Sequence, residues 1–251
     1  MTLQEFFAEN ARAAIAFSGG VDSSYLLYAA VQCGADVHAY FAKTAFQPQF
    51  ELDDARRLAE NVGAKLTVLE LDALSSEDVA RNPANRCYYC KQNIFGNLKR
   101  AAAEDGFTLI LDGTNASDDA GDRPGMRALR EMDVRSPLRE CGLMKAEIRR
   151  LSHEAGLFTW DKPAYACLAT RIPTGTPIQA RDLERVERAE AALAALGFRD
   201  FRVRLFHGAA RVQATAAQLP LALEQREDLT VALRSDFSDI LLDLAPRAPS
   251  A

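Results

Sequence analysis

A segment near the N-terminus combines glycines and hydroxyls at a spacing suited to phosphate binding. An apolar run over 13–17 is followed by Ser18-Gly19-Gly20-Val21-Asp22-Ser23-Ser24, after which apolar residues recur at helical spacing. A strand, a glycine turn and a helix start, in that order, direct backbone N–H groups and the positive end of a helix at one point. The two glycines can adopt positive φ and leave room for a phosphate beside the main chain. This segment therefore predicts a nucleotide-phosphate loop.

The side chains of this loop suggest how it would work. The hydroxyls of Ser18, Ser23 and Ser24 add hydrogen-bond donors. A carboxylate at Asp22 would repel phosphates unless a cation lay between them, so we interpret Asp22 as a catalytic residue that holds Mg²⁺ or orients pyrophosphate. The loop is not a Walker motif, which has a longer spacing and a lysine before the final Ser or Thr.

A second polar segment follows a predicted strand over 108–111. It consists of Asp112-Gly113-Thr114-Asn115-Ala116-Ser117-Asp118-Asp119, and a turn-rich stretch over 121–125 comes next. Because the carboxyl ends of parallel strands share one edge of a sheet, we expect Asp112, Gly113, Thr114 and Asn115 to bind the same nucleotide. Asp118 and Arg123 have the same favourable placement. Capping of the loop remains an alternative role for Thr114 and Asn115.

Cys167 is the strongest candidate nucleophile among the five cysteines. It lies in a loop bounded by prolines and a glycine, and Lys162 and Arg171 are its cationic neighbours in sequence. Positive charge near a thiol lowers its pKa, which favours a reactive thiolate over a buried apolar group. Cys33 and Cys141 lack such neighbours and are predicted to be structural.

Cys87 and Cys90 form a C-x-x-C pair with three interpretations: a redox dithiol, two metal ligands or ordinary packing. A tetrahedral zinc site needs four ligands, and histidines are scarce. With Cys167 as a third thiolate, the set would suit a [4Fe–4S] cluster with one iron left open. We therefore place the cluster ahead of the dithiol, on condition that Cys167 lies nearby.

Arginines recur in the C-terminal part of the chain. Alternation along a predicted strand over 201–206 places Arg202 and Arg204 on one face. A hairpin turn at 207–208 would bring Arg211 and Gln213 opposite them. Such a row could bind a phosphate bidentately, and a solvated strand face is the equally weighted alternative.

The elements that must position these residues fall into two groups. Strands alternate with helices through the first two thirds of the chain, which predicts an α/β fold with a parallel sheet covered on both faces. The remainder reads as a small α+β domain. We place the domains at 1–174 and 175–245, with a loose tail at 246–251. The predicted helices are 2–10, 49–62, 145–155, 180–196 and 216–227, and further strands are predicted at 36–42, 65–71, 134–138, 210–214 and 237–243.

Composition narrows the class of protein. The net charge of −5 argues against a general nucleic-acid-binding role. No apolar run approaches membrane-spanning length, and the N-terminus lacks the pattern of an export signal. An odd cysteine count with one C-x-x-C pair favours metal binding or catalysis in the cytoplasm over structural disulfides.

The first motif resembles the pyrophosphate loop of the N-type ATP pyrophosphatases. Nearly the whole chain resembles the LarE-type ATP-dependent sacrificial sulfur transferases. The motifs that carry this likeness are Ser18–Ser23, Asn85–Lys91, Asp112–Asn115, Lys162-Pro163, Cys167–Pro173, Arg202-Val203-Arg204 and Ala210-Arg211-Val212.

This resemblance implies a specific activity. ATP and Mg²⁺ would adenylate a carboxylate of a pyridinium-3,5-dicarboxylate mononucleotide, in the biosynthesis of the nickel-pincer cofactor of lactate racemase. The Cys167 thiolate would then attack the acyl-adenylate, and cleavage of its Cβ–S bond would leave a thiocarboxylate and a dehydroalanine. Relatives with cysteines matching Cys87, Cys90 and Cys167 resemble catalytic cluster enzymes instead, and this sequence has all three.

The resemblance also implies binding residues and an assembly. Lys91, Arg171, Arg202, Arg204 and Arg211 would bind the nucleotide substrate, and the chain would form a homo-oligomer between a dimer and a hexamer. Two positions depart from the family pattern. Gln213 stands where many relatives carry an acid, and Thr170 replaces a more usual serine.

Three other functions stay open at this point. An amidotransferase-type ligase with the same loop would use ammonia and need no cysteine. A tRNA thiolase would need a basic RNA-binding surface, which the net charge does not favour. A regulatory module would bind the adenine nucleotide without releasing pyrophosphate.

Overall fold

The structure is a computed structural model that describes residues 1–118 and 123–248. Asp119, Gly121 and Asp122 of the predicted loop and turn, and the last three residues of the predicted tail, lie outside the described residues. The chain divides into two compact units, 1–73 with 85–162 and 74–84 with 163–251.

The first unit is an α/β layer structure, as predicted. Its elements are α1 (Leu3–Glu9), β1 (Arg12–Ala16), α2 (Val21–Gln32), β2 (Asp36–Lys43), α3 (Gln49–Val62), β3 (Lys65–Glu70), α5 (Arg86–Glu104), β4 (Ile110–Asp112), α6 (Pro124–Glu131), α7 (Pro137–Glu140) and α8 (Lys145–Glu154), while α4 (Glu77–Ala80) belongs to the second unit. The four strands form a parallel sheet in the order β3-β2-β1-β4.

Both faces of this sheet are covered by other elements, as is typical of parallel sheets. Leu52, Ala55 and Leu58 of α3 pack with Ile15 and Phe41 in one core cluster. The other face carries a smaller cluster around Phe95 and Leu98 of α5. Helices thus cover both faces, and the carboxyl ends of β1 and β4 lie side by side, since Ala16 pairs with Asp112.

The predicted fifth strand over 134–138 is wrong. Only one isolated bridge forms there, between Leu111 and Arg135, and α7 begins at Pro137. Proline has no N–H to donate to a sheet, and it favours the first turn of a helix. The chain therefore turns into a helix after a single pairing.

The second unit contains a three-stranded sheet. Its elements are α9 (Ala180–Ala195), β5 (Arg202–Phe206), β6 (Ala209–Gln213), α10 (Leu219–Glu224), α11 (Arg226–Leu233) and β7 (Ile240–Leu242). β5 and β6 form the predicted antiparallel hairpin, and β7 pairs in parallel with β6. The helix predicted at 216–227 is two helices that meet at Gln225, and the second extends to Leu233.

Residues 74–84 join the second unit through main-chain and side-chain hydrogen bonds. Gly175 N–H donates to the Asn82 carbonyl at 2.8 Å, and Ile178 N–H donates to the Ala80 carbonyl at 2.8 Å. Asn82 Nδ2 donates to the Pro173 carbonyl at 2.9 Å. The observed division after Lys162 therefore differs from the boundary we placed after 174. The second unit also includes residues 74–84, which composition did not reveal.

Within residues 1–118 and 123–248, no helix is long and apolar enough to cross a membrane.

Candidate functional site

The segment between β1 and α2 forms a compact turn closed by its own serines. Ser18 and Ser23 approach within 3.0 Å through their Oγ atoms, and Ser23 Oγ donates to the Gly20 carbonyl at 3.2 Å. Gly20 is the N-cap of α2, so the first N–H groups of that helix open at the turn. The loop therefore has the geometry of an anion-binding site.

Gly19 is required at its position by conformation and by space. Its φ is +68°, and a Cβ built there would lie 3.0 Å from the Glu51 carbonyl oxygen and 3.3 Å from the Ala55 Cβ. The turn thus packs directly on the start of α3.

The loop serines differ in exposure. Ser18 and Ser23 line the adjacent cavity. Ser24 is fully buried, and its Oγ has no hydrogen-bond partner among the described residues. The geometry therefore supports phosphate binding by the first two hydroxyls more than by that of Ser24.

Asp22 lies in the first turn of α2 and is held from two sides. Lys145 Nζ, at the start of α8, donates to Asp22 Oδ2 at 2.6 Å. Asn115 Nδ2 donates to Asp22 Oδ1 at 3.3 Å. Sequence reasoning singled out Asp22 and Asn115 but missed Lys145, because the partners lie 123 residues apart and no motif marks that lysine.

The segment after β4 meets the phosphate loop, as its predicted position requires. Asp112 is buried and accepts hydrogen bonds from the Thr114 hydroxyl and the Ser136 hydroxyl, each at 2.6 Å. A Cβ on Gly113 would lie 2.8 Å from the Ser23 backbone nitrogen, so only glycine allows this close approach. Thr114 and Asn115 thus combine site placement with the loop-capping contacts we left as an alternative.

A cavity of about 370 Å³ opens between these two segments, within the range of small-molecule sites. Its lining is mixed: polar residues include Ser18, Gly20 and Thr114, and apolar residues include Phe41, Ile94, Phe95 and Leu98. A nucleotide, which combines charged phosphates with an aromatic base, is compatible with such a lining.

Tyr40 forms part of the cavity wall and is held by a chain of polar contacts that runs from the buried His38 to the exposed Asp105. Its hydroxyl donates to Asp105 Oδ2 at 2.6 Å and lies 3.2 Å from His38 Nδ1. His38 Nε2 lies 2.8 Å from Thr67 Oγ1. Because the Tyr40 proton is committed to Asp105, His38 would carry its proton on Nδ1, and burial lowers the pKa of its imidazole.

Lys91 lines the same cavity from the second turn of α5. Burial lowers the pKa of its ammonium, while the charges of Asp112, Cys87, Asp118 and Cys90 act in the opposite direction. The lysine thus lies at the cavity, and its substrate-binding role stays a prediction.

Cys87 and Cys90 lie inside the first turns of α5. Three residues apart on a helix, they share one face. Cys87 is exposed and Cys90 is half-buried. Residues 1–118 and 123–248 contain no group of three or more His, Cys, Asp or Glu side chains arranged to hold a metal ion. The cluster stays a prediction.

Cys167 belongs to the second unit and precedes a short 3-10 helix, Leu168–Arg171. Its thiol is half-buried. The Cys167 carbonyl accepts hydrogen bonds from the Thr170 N–H at 3.0 Å and the Thr170 hydroxyl at 2.9 Å. The residue is thus held in an ordered loop rather than in the core.

Arg171 is buried and organises this loop. Its Nε donates to Glu190 Oε1 at 2.7 Å, and its Nη1 donates to the Ala166 carbonyl at 3.0 Å. Burial disfavours its charged form, but the hydrogen bonds and charge of Glu190 outweigh burial and raise the pKa of Arg171. This guanidinium is occupied within the protein, which fits a positioning role better than the predicted contact with substrate.

The other predicted arginines lie on the β5–β6 hairpin in the register we expected. Arg204 faces Arg211, and Arg202 faces Gln213. Arg202 is buried and donates to the Ala164 carbonyl at 2.6 Å. Arg202 therefore does not lie on a solvent-exposed face of its strand, which was the alternative to phosphate binding.

Excess positive charge marks this part of the second unit. Burial, together with the charges of Arg171 and Arg247, lowers the pKa of Arg202 to about 10. Burial and the neighbouring arginines also lower the pKa of Arg204. A cavity of about 570 Å³ opens beside the cluster and is lined by Arg204, Arg211, His207 and Thr174 among others. A bound anion would relieve the repulsion.

A parallel sheet with a serine–glycine turn at the carboxyl end of β1 and an acidic loop at the neighbouring strand end defines the PP-loop ATP pyrophosphatase class. In agreement, the family model described as asparagine synthase matches residues 8–116.

Comparison with curated proteins gives a narrower family. The chain is 34% identical to the pyridinium-3,5-bisthiocarboxylic acid mononucleotide synthase of Lactiplantibacillus plantarum, over 93% of this chain and 86% of the relative. It is 38% identical to an uncharacterized protein of Synechocystis, over 86% and 81% of the two chains. The chain belongs to the LarE-type PP-loop sulfur transferases and is an ATP-dependent sulfur transferase. The resemblance drawn from the motifs is confirmed.

A more distant likeness bears on the tRNA thiolase alternative. A tRNA-specific 2-thiouridylase of Fervidobacterium nodosum is 26% identical over 41% of this chain and 37% of the relative. The shared part is thus limited, whereas the likeness to the mononucleotide synthase spans both units.

Proposed function

We propose that this enzyme adenylates a carboxylate of a pyridinium-3,5-dicarboxylate mononucleotide and converts it to a thiocarboxylate, a step in the biosynthesis of a nickel-pincer cofactor. The observation that carries this proposal is the cavity of about 370 Å³ that the Ser18–Ser23 loop lines together with Asp112 and Thr114. The relative from Lactiplantibacillus, a synthase of the bisthiocarboxylic acid mononucleotide, supports the choice of acceptor.

Adenylation would occur at the cavity of the first unit. The substrate carboxylate oxygen attacks the α-phosphorus of ATP, the bond to the β-phosphate oxygen breaks, and pyrophosphate leaves. The Ser18–Ser23 loop and the start of α2 would hold the pyrophosphate, and Lys91 would offset charge that develops on the phosphates. Bound Mg²⁺ would supply further charge neutralisation.

Asp22 and Asp112 are the carboxylates suited to that cation. Both line the cavity beside the phosphate loop. Oxygen ligands of this kind are what Mg²⁺ prefers. In the structure Lys145 neutralises Asp22, so loading of the cation with ATP would require Asp22 to exchange its partner.

Sulfur transfer would then use the thiolate of Cys167. The sulfur attacks the adenylated carbonyl carbon, AMP leaves, and a thioester forms between protein and substrate. Removal of the cysteine Cα proton breaks the Cβ–S bond, so that the substrate keeps the sulfur as a thiocarboxylate and the protein retains dehydroalanine. The enzyme would act once.

A second source of sulfur is a sulfide carried on a three-cysteine [4Fe–4S] cluster. Cys87 and Cys90 fit as two of its ligands because they share one face of α5, and Cys167 would be the third. Such a group would make the sulfur supply renewable. Iron and sulfide analysis of anaerobically purified protein, repeated on Cys87→Ala, distinguishes the two sources.

The cationic cavity of the second unit would bind the phosphate of the mononucleotide. Arg204 and Arg211 line it, and excess positive charge surrounds it. Gln213 accepts a hydrogen bond from Arg204 Nε at 2.5 Å and donates to Asp243 at 2.8 Å. The position where relatives carry an acid thus still orients Arg204 without adding a negative charge.

Substitution of Cys167 tests the proposal. Cys167→Ala should form AMP and pyrophosphate in the presence of the pyridinium substrate but yield no thiocarboxylate. The matched control is Cys33→Ala, which removes an exposed thiol from the end of α2. Full sulfur transfer by Cys167→Ala would refute the mechanism, and pyrophosphate release without any need for the pyridinium substrate would refute the acceptor.

A further inference from the structure

Lys162 is the last residue of the first unit, and its side chain returns to the phosphate loop. Its Nζ donates to the Gly19 carbonyl at 3.2 Å and to Asp54 Oδ2 at 2.7 Å. The Lys162 side chain is 15% exposed. One ammonium thus connects the glycine turn, α3 and the point at which the chain leaves the unit.

The main chain at this point is held as well. Arg149 donates from Nη1 to the Trp160 carbonyl at 2.7 Å and from Nη2 to the Lys162 carbonyl at 3.0 Å. Arg149 lies one turn after Lys145 on α8, and Lys145 binds Asp22 of the phosphate-loop helix. A single helix therefore fixes both the loop and the exit of the chain.

The segment that follows carries the thiol. Pro163 begins the second unit, and Cys167 is five residues after Lys162. Five residues span at most ~18 Å when fully extended. Only a short length of chain therefore separates Lys162 from the proposed sulfur donor.

We propose that Lys162 is a positioning residue that ties the start of the Cys167 loop to the phosphate loop, so that sulfur transfer follows adenylation efficiently. The inference rests on the proposed function for its chemistry. Its physical basis is separate: the Lys162 side chain bonds to a loop carbonyl and to a carboxylate of α3, while its carbonyl is held by α8.

This role separates Lys162 from residues that act on ATP itself. A group that only binds phosphate would affect AMP formation and thiocarboxylate formation equally. Loss of a positioning residue would leave adenylation intact but lower the fraction of acyl-adenylate that reacts with Cys167, since small misplacements of a reacting group lower rates by about tenfold to a hundredfold.

The experiment compares Lys162→Met with Lys162→Arg and with the control Lys99→Met. Lys99 also donates from its ammonium to a backbone carbonyl of the first unit, that of Met132, away from the cavity. Two quantities are measured: thiocarboxylate formed per AMP, and the rate of Cys167 alkylation in the absence of substrate, with Cys141 alkylation in the same sample as a check on folding.

For Lys162→Met we expect AMP formation within about threefold of wild type, a fall of about tenfold in thiocarboxylate per AMP, and a changed rate of Cys167 alkylation with Cys141 unchanged. Lys162→Arg should recover most of the thiocarboxylate yield per AMP. If Lys162→Met lost AMP and thiocarboxylate in parallel, or changed neither the thiocarboxylate per AMP nor the alkylation rate, the inference would be overturned. If wild type formed no thiocarboxylate while the alkylation difference remained, the proposed function would fail and the tether would stand.

Discussion

At the scale of single residues, the nucleotide cavity holds a lysine whose ammonium is costly to bury. Lys91 lines the cavity and makes no hydrogen bond or ion pair among the described residues. A buried charge without a close partner reduces stability, and binding sites commonly accept this cost. The arrangement suits an ammonium whose charge is neutralised when an anionic ligand binds.

We therefore predict that Lys91→Met stabilises the protein while it damages catalysis. The thermal midpoint should rise by about 2 °C, and AMP formation should fall by about tenfold or more because a charge opposite the phosphates is lost. Thermal unfolding and an AMP assay measure the two effects.

The pH dependence of this effect follows from the lowered pKa of Lys91. Unfolding raises that pKa toward its ordinary value of 10.5, so the cost of the buried ammonium is fully present below the folded-state pKa. The stability advantage of Lys91→Met should thus be largest near neutral pH and shrink as pH approaches 10.5. A variant less stable than wild type at neutral pH would contradict this account of Lys91.

At the scale of elements, the β1–turn–α2 unit could be predicted because its signals are local. The apolar run, the two glycines and the helical spacing lie within about twenty residues, and the structure places β1 and α2 accordingly. The same holds for α3 and for the β5–β6 register. Prolines and tertiary contacts explain the misses, since Pro137 begins a helix where a strand was predicted.

Contacts that join distant segments could not be predicted in this way. The Lys145–Asp22 pair and the Lys162–Gly19 bond each join positions more than a hundred residues apart. No spacing rule marks either lysine as a contact of the Ser18–Ser24 segment, although Lys162-Pro163 is one of the motifs that carry the family resemblance. Local patterns located the loop and the thiol, whereas the residues that hold them become evident only in the folded chain.

Close packing between the β4 loop and α2 gives a prediction at this scale. Gly113→Ala would place a Cβ 2.8 Å from the Ser23 backbone nitrogen. Since this neighbour is backbone rather than a flexible side chain, we expect a loss of about 1–3 kcal/mol in unfolding free energy and reduced AMP formation.

Gly96→Ala is the matched control. A Cβ on Gly96, in the interior of α5, meets nothing within 4 Å. That variant should be neutral or gain up to about 1 kcal/mol, because alanine favours the helix. Urea unfolding measures both variants, and equal stabilities for the two would show that the approach of Gly113 to α2 carries no constraint.

At the scale of the whole molecule, the two units carry different parts of the chemistry. The nucleotide cavity belongs to the first, and Cys167 and the arginine cluster belong to the second. Glu190 is central to the second unit. It accepts hydrogen bonds from Arg171, from the Tyr165 hydroxyl at 2.5 Å and from the Val203 N–H at 2.8 Å.

We predict that Glu190→Gln weakens the second unit by about 3 kcal/mol, because it leaves the buried Arg171 charge without its counterion. Fluorescence of Trp160, the sole tryptophan, reports on the first unit, while circular dichroism reports on both. The dichroism transition should shift more than the fluorescence transition, and ATP binding should persist.

Glu184→Gln is the control on the same helix, since Glu184 is exposed. It should leave both transitions within about 0.5 kcal/mol of wild type. Equal shifts of the two transitions in Glu190→Gln would instead mean that the two units unfold as one.

In the proposed reaction, sulfur is transferred to a carboxylate that ATP has adenylated. The most direct measurement uses the pyridinium dicarboxylate mononucleotide with heavy oxygen in its carboxylates, together with ATP, under anaerobic conditions. We expect one heavy oxygen to appear in AMP and the product to carry sulfur in its place. AMP without the heavy oxygen, or formation of ADP instead of AMP and pyrophosphate, would contradict it.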